Sequence, residues 1–176
     1  MMNILFYTPL FSYEVKDWDR KKKDLLSLMG DEFDYVSDNF QTDRHCKKQS
    51  YSMEFMRLFS DEFGNFLKET KVNDFRVSDA WTVKYSKGNE NHCPHNHKST
   101  GYSGLLYLEF DPEVHEPAKF IGPWNDPIND TSQLTALPNP RTGVIYIWES
   151  ILVHYVDPIQ TDKLRMSTSF DIEVVK

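Results

Sequence analysis

A chain of 176 residues with 39% apolar and 27% charged side chains has the composition of an ordinary globular protein, long enough for one sizeable core but short for two. Its formal net charge of −7 gives no long-range attraction to nucleic acid or an anionic membrane, and no apolar run approaches the length of a membrane span. Two cysteines, Cys46 and Cys93, allow at most one disulfide, and the opening MMNILFYTPL lacks the pattern of a secretory leader, so the expected setting is reduced and cytoplasmic.

Met2 to Phe11 is a short β-prone run stopped by Pro9 and polar residues, which predicts an edge strand. Asp17 to Met29 gathers Leu25, Leu26, Leu28 and Met29 behind a charged start and ends at Gly30, as a helix does. Within it, Arg20 to Lys23 is bracketed by Asp19 and Asp24 and reads as a solvated face. Asp31 to Ser50 has no clear period and reads as loop with room for one short strand, with His45 and Cys46 on the surface. Met56, Phe59, Phe63, Phe66 and Leu67 then recur at steps of mostly three and four, an amphipathic helix whose rings pack on a sheet.

From Phe75 the period becomes two. Phe75 and Val77, then Ala80, Trp81, Val83 and Tyr85, predict a strand that ends at Lys87-Gly88. Leu106, Leu108 and Phe110 alternate with Leu105, Tyr107 and Glu109 in a second. Asp111 to Pro140, rich in Pro, Asn and Asp, reads as a short strand and a long covering loop carrying His115 and Trp124. Val144 to Val153 and Leu164 to Val175 predict two more strands. Helices followed by short antiparallel strands give an α+β fold with a jelly-roll barrel in residues 75–175 of a single domain spanning 1–176.

The chemistry concentrates in Asn91 to Phe110, NHCPHNHKSTGYSGLLYLEF, which holds three of the six histidines. On an extended strand His95 and His97 project to one side together with Cys93, while His92 faces the other way. One metal ion could take both imidazoles, with His154 as the third donor from the end of another apolar run. Imidazole suits iron, zinc, copper and nickel alike, and His92 with Cys93 could extend the group into a zinc site. Arg165, Ser167 and Ser169 share a strand face opposite Met166, Thr168 and Phe170, so Arg165 is expected to point into the barrel. A buried guanidinium needs an anionic partner, and no fixed acidic partner is apparent nearby in sequence, so a ligand bearing a carboxylate is the inference.

The order His-x-His, SGLLYL, GVIYIWESILVHYVDP and RMSTSFDI resembles the iron(II)- and 2-oxoglutarate-dependent oxygenases, in particular a prolyl-hydroxylase-like branch found in bacteria and phages. The resemblance runs from about Phe75 to Ile172 and implies a double-stranded β-helix with N-terminal helices. It implies Fe(II) held by His95, His97 and His154, with 2-oxoglutarate and O2 as co-substrates. Arg165 matches the residue that pairs with the far carboxylate of 2-oxoglutarate, Ser167 completes an Arg-x-Ser pair, and Tyr85 and Tyr107 resemble co-substrate contacts. The implied reaction is hydroxylation of a peptidyl proline or a small metabolite, with release of succinate and carbon dioxide.

Most of the superfamily has a carboxylate where this chain has His97, though the branch it resembles often has histidine there too. Three neutral ligands leave the iron more positive, which favours a dianionic co-substrate. A histidine also fills the place that halogenating relatives keep open for chloride, which argues against halogenation. The alternative function is a cupin-type metal- or ligand-binding barrel without 2-oxoglutarate chemistry, and a barrel without catalysis that serves in protein interaction is a third. Arg165 separates them, because only the oxygenase requires it.

Overall fold

The computed structural model describes residues 8–36, 39–46, 50–97, 101–126 and 128–175. Along the chain β1 (Leu10–Glu14) leads to α1 (Trp18–Leu28), β2 (Asp34–Val36) and β3 (Phe40–Thr42). Then come α2 (Ser52–Leu58), α3 (Ser60–Thr70), β4 (Phe75–Tyr85), β5 (His92–His95) and β6 (Gly101–Glu109). The chain closes with β7 (Lys119–Asp126), β8 (Thr131–Ala136), β9 (Val144–Glu149), β10 (Val153–Val156) and β11 (Arg165–Val174). The strands form a seven-stranded sheet in the order β1-β9-β6-β11-β4-β3-β2 and a four-stranded sheet in the order β5-β10-β7-β8, with every strand pair antiparallel. This is the α+β jelly roll that the pattern predicts, in the form of the double-stranded β-helix that the resemblance implies, with the helices on one face of the larger sheet.

Strand parity sorts the side chains. In β6, Leu106 and Leu108 join the cluster beneath the helices, whereas Leu105 and Tyr107 face the smaller sheet. In β9, Ile145 and Ile147 take the helix side while Val144, Tyr146 and Trp148 take the other. The phase change in β4 has the same logic. Phe75 and Val77 pack under the helices, but the pairing of β4 with β11 slips beside Ser78, where Asp171 faces Asp79 and Ile172 faces Val77. One extra residue in a strand reverses its alternation, so Ala80 takes the helix side and Trp81, Val83 and Tyr85 turn inward.

Between the sheets lie two apolar clusters, one around Tyr107, Tyr146 and Trp148 and one around Phe40, Trp81, Tyr85 and Ile159. On the opposite side of the large sheet, Phe55, Phe59, Phe63 and Phe66 pack against Phe75, Phe170 and Ile172.

Several elements differ from the sequence expectation. The predicted first strand is shifted: it occupies Leu10–Glu14 at a sheet edge, and residues 1–7 lie outside those described. The 31–50 stretch holds two short strands rather than one, and these extend the large sheet beyond the 75–175 core. The single ring-bearing helix is kinked into two at Phe59, whose φ of −110° leaves the helical basin. Its buried ring is in the core, and helical bonds continue from Phe59 N–H to Phe55 O and from Phe63 N–H to Phe59 O. The run 144–153 breaks after Glu149, and the covering loop of 111–140 is largely a β7–β8 hairpin.

Gly104, in the SGLLYL motif, sits where Phe170 crosses from β11. A Cβ added there would lie 2.6 Å from Phe170 Cε2 and from the Tyr146 carbonyl oxygen, and backbone cannot yield as a flexible side chain can. Gly104→Ala is therefore expected to lower stability by about 1–3 kcal/mol in urea denaturation, without a change of metal affinity.

Candidate active site

The three histidines of the predicted metal centre come together. His95 and His154 are directly paired across β5 and β10, and His97 follows β5 with its N–H donated to Ser150 O at 2.9 Å. One ligand atom from each ring lies within 4.8 Å of the others, the one such group of His, Cys, Asp or Glu among the described residues. Each ring has its Nδ1 committed. His95 Nδ1 is 2.9 Å from Cys93 O and His154 Nδ1 is 3.0 Å from Leu152 O. His97 Nδ1 is 2.6 Å from Asp171 Oδ1. Carbonyl and carboxylate oxygens only accept, so each proton belongs on Nδ1, and each Nε2 keeps its lone pair for a metal.

Burial lowers the pKa of all three imidazoles it affects most. His92 and His154 are pushed down to about 3, first by burial and then by the neighbouring His95, and His95 is lowered mainly by burial. Neutral imidazole is the form that ligates a metal. Three convergent imidazoles, of which burial keeps His95 and His154 neutral, thus fit iron(II), which takes imidazole readily.

His92 and Cys93 do not follow simple alternation. Opposite β5, His154 pairs with His95 and Val156 with His92, so three steps on one strand match two on the other. That bulge turns His92 inward, where it stacks on His95 at 4.1 Å between ring centroids and lies 4.3 Å from Phe40. Cys93 is exposed, with Sγ 3.8 Å from Asn91 Oδ1, and takes no part in the metal group.

Arg165 enters the same cavity from β11, 1% exposed, between the rings of Tyr85 and Tyr107 at 4.7 and 5.1 Å. Its Nη2 donates to the Tyr107 hydroxyl at 3.3 Å, its Nε has no hydrogen-bond partner, and no carboxylate among the described residues pairs with it. Ser167 and Ser169 line the cavity beside it, as parity requires, with Met166 and Phe170 on the helix side. Tyr85 is also in the wall, with its hydroxyl 3.5 Å from His92 Nδ1 and its pKa pushed up to about 12 by burial. Tyr107 stands one layer back. Its hydroxyl accepts from Arg165 and from Ala118 N–H, the latter at 3.0 Å, which leaves its own proton to donate.

Other site residues escape motif reading. Asp171 continues the alternation of Arg165, Ser167 and Ser169, so strand parity is a signal for it. Trp81, stacked on His97 at 5.7 Å, and Trp148, edge-on to His154 at 5.1 Å, carry none beyond being aromatic. His115, expected in a loop, is buried: its Nδ1 accepts from Asp111 N–H at 3.0 Å and its Nε2 donates to Lys163 O at 3.0 Å, tying two loops together. Trp124 lies in β7 and is exposed.

The family profile described as "Putative 2OG-Fe(II) oxygenase" matches residues 79–171, more than half of the chain. No match was found among curated protein sequences. Among solved structures, the viral collagen prolyl hydroxylase of Paramecium bursaria Chlorella virus-1, in complex with 2-oxoglutarate, superimposes with a TM-score of 0.60 at 14% identity, covering 95% of this chain and 96% of that one. A prolyl-4-hydroxylase of Pseudomonas putida gives 0.63 at 12% identity, covering 96% and 94%. HygX of Streptomyces hygroscopicus, with nickel and 2-oxoglutarate bound, gives 0.62 at 14% identity, covering 96% and 84%. At these identities the solved structures establish the fold alone, and no helix of the described residues is long and apolar enough to cross a membrane. The profile match spans the three clustered histidines, Arg165 and strands β5 to β10, and on it the chain belongs to the 2OG-Fe(II) oxygenase family, enzymes that use iron(II), 2-oxoglutarate and dioxygen.

Proposed function

We propose that this oxygenase is a hydroxylase with His95, His97 and His154 as its iron ligands and Arg165 as the anchor for 2-oxoglutarate. The observation that carries this is the juxtaposition, in one cavity, of three convergent imidazoles with a buried arginine with which no carboxylate among the described residues pairs. When bound, iron(II) and 2-oxoglutarate supply the dioxygen chemistry, a decarboxylation to succinate and carbon dioxide coupled to hydroxylation of a C–H bond. The chain's own residues bind and orient. Arg165 takes the carboxylate remote from the metal, Ser167 adds a hydroxyl donor beside it, Tyr107 steadies the guanidinium, and Tyr85 closes the wall against His92. Trp81, Trp148 and the two apolar clusters keep water from the chamber.

The substrate reading is a peptidyl proline, supported by the prolyl hydroxylases that superimpose over nearly the full length of both chains. A small metabolite is the second, supported by HygX, whose structure is also known with hygromycin B bound. Anaerobic iron(II)-loaded protein titrated with 2-oxoglutarate is expected to develop a visible charge-transfer band, and His154→Ala is expected to abolish it. Iron bound tightly without a band would favour the cupin-type alternative, and an undiminished band in His154→Ala would refute the ligand assignment. Succinate release stimulated by proline-containing peptides, against none with amino sugars, would separate the two substrate classes.

A further inference from the structure

The three histidines are not held alike. His95 and His154 each give Nδ1–H to the carbonyl two residues earlier, a local and neutral partner. His97 alone is held by a carboxylate, from Asp171 on a strand 74 residues away, and His97 stands where most of the superfamily places a carboxylate ligand. Asp171 is 6% exposed, and its Oδ1 also accepts from Ser103 Oγ at 2.8 Å. Ser150 Oγ is 2.9 Å from Ser103 Oγ, so with the Ser103 proton directed at Asp171, Ser150 donates to Ser103. Arg44 reaches Asp171 Oδ2 at 3.6 Å and Asp79 at 2.9 Å, and its guanidinium lies 3.8 Å from the centroid of the Trp81 ring. Trp81 in turn stacks on His97, nearly parallel at 17°. Ring and carboxylate are both fixed from outside the metal group.

We propose that Asp171 is a positioning residue of the metal centre: it fixes His97 with the proton on Nδ1 and supplies through that ring the negative charge that a carboxylate ligand would supply directly. The proposal rests on the reading that His97 ligates the metal. A carboxylate behind an imidazole raises the basicity of the far nitrogen, so the charge is felt at Nε2 without occupying a coordination position. Loss of such a partner costs metal affinity of about 10- to 100-fold.

The test is equilibrium binding of cobalt(II), read by its visible spectrum, and of iron(II) under anaerobic conditions, to the metal-free full chain. Asp171→Asn, which keeps the shape and removes the charge, is expected to weaken both metals by about 10- to 100-fold. In a His97→Asp background the effect should shrink to about threefold or less, because no imidazole carries the charge to the metal and only the through-space attraction of Asp171 for the cation is lost. A fall of equal size in both backgrounds would mean a merely structural role, and no change in the wild-type background would equally overturn the proposal. If Asp171→Asn alone does not fold, His97→Asp with and without Asp171→Asn carries the test, a fall of the full size of about 10- to 100-fold between them refuting it. His97→Ala separates the two levels: metal binding undiminished in that variant means the ligand reading itself is wrong. Metal binding lost in Asp171→Ala but kept in His97→Ala would make Asp171 the ligand and overturn both.

Discussion

Replacing Arg165 with methionine is expected to raise the 2-oxoglutarate concentration for half-saturation by roughly two to three orders of magnitude, about 3–4 kcal/mol. The guanidinium is nearly sealed from solvent, its Nε has no partner, and no carboxylate among the described residues offsets its charge. A ligand carboxylate arriving there meets a desolvated cation already aimed by the Tyr107 hydroxyl and flanked by two rings. Methionine fills the same slot between Tyr85 and Tyr107, so the packing is largely kept while the charge is lost. Ligand-free stability is accordingly expected to change by less than about 1 kcal/mol or to rise, because an uncompensated buried charge has been removed. Lysine is expected to behave nearly as badly as methionine, since a compact ammonium cannot present the fork that a carboxylate accepts. The check is thermal denaturation of the iron(II)-loaded protein with and without 2-oxoglutarate. Wild type should gain about 2.7 kcal/mol at a hundredfold excess over its dissociation constant, and the variant at that concentration should gain almost nothing. An equal gain in both would remove Arg165 from the co-substrate site.

What the sequence made legible follows from how each feature is encoded. Strand parity is a local rule, so the inward face of Arg165, Ser167 and Ser169 and the two-sided burial of Leu105 to Leu108 could be read directly. The same rule failed at β5, where it sent His92 outward and Cys93 inward, because a bulge depends on the partner strand and β10 is sixty residues away. At β4 the bulge left a trace, since the apolar phase shifts between Val77 and Ala80, and the shift marks where the strand changes sides. The β7–β8 hairpin was hidden by composition: Pro123, Asn125 and Asp130 read as loop, and the six residues of β8 are all exposed, so no buried alternation betrays them. Asp171 shows the remaining limit. Its placement on the inner face was readable, but its partnership with His97 and Arg44 exists only once β11, β5 and the β3–α2 connection meet.

The basic run of α1 gives the second large effect. Arg20, Lys22 and Lys23 are accessible, as a solvated face would be, but Lys21 is only 6% exposed and Glu62 of α3 only 2%. The Lys21 Nζ lies 3.1 and 3.0 Å from the two Glu62 oxygens, and Glu62 Oε1 also accepts the Lys16 N–H at 3.2 Å. The ammonium stands 5.4 Å from the centre of the Phe59 ring at the kink between α2 and α3. Lys21→Met would leave a carboxylate buried without its cation, at an expected cost of about 3–5 kcal/mol. For a chain of this length that corresponds to a fall in thermal midpoint of about 6–20 °C. Lys21→Met with Glu62→Leu is expected to recover most of that loss or exceed wild type, because replacing both partners by apolar groups removes both desolvation penalties. Urea denaturation of the two single variants and the double variant decides it. Additive losses would mean that the pair contributes through packing alone, whereas recovery would mean that the pair fixes the docking of α1 on α3 at little net gain in stability.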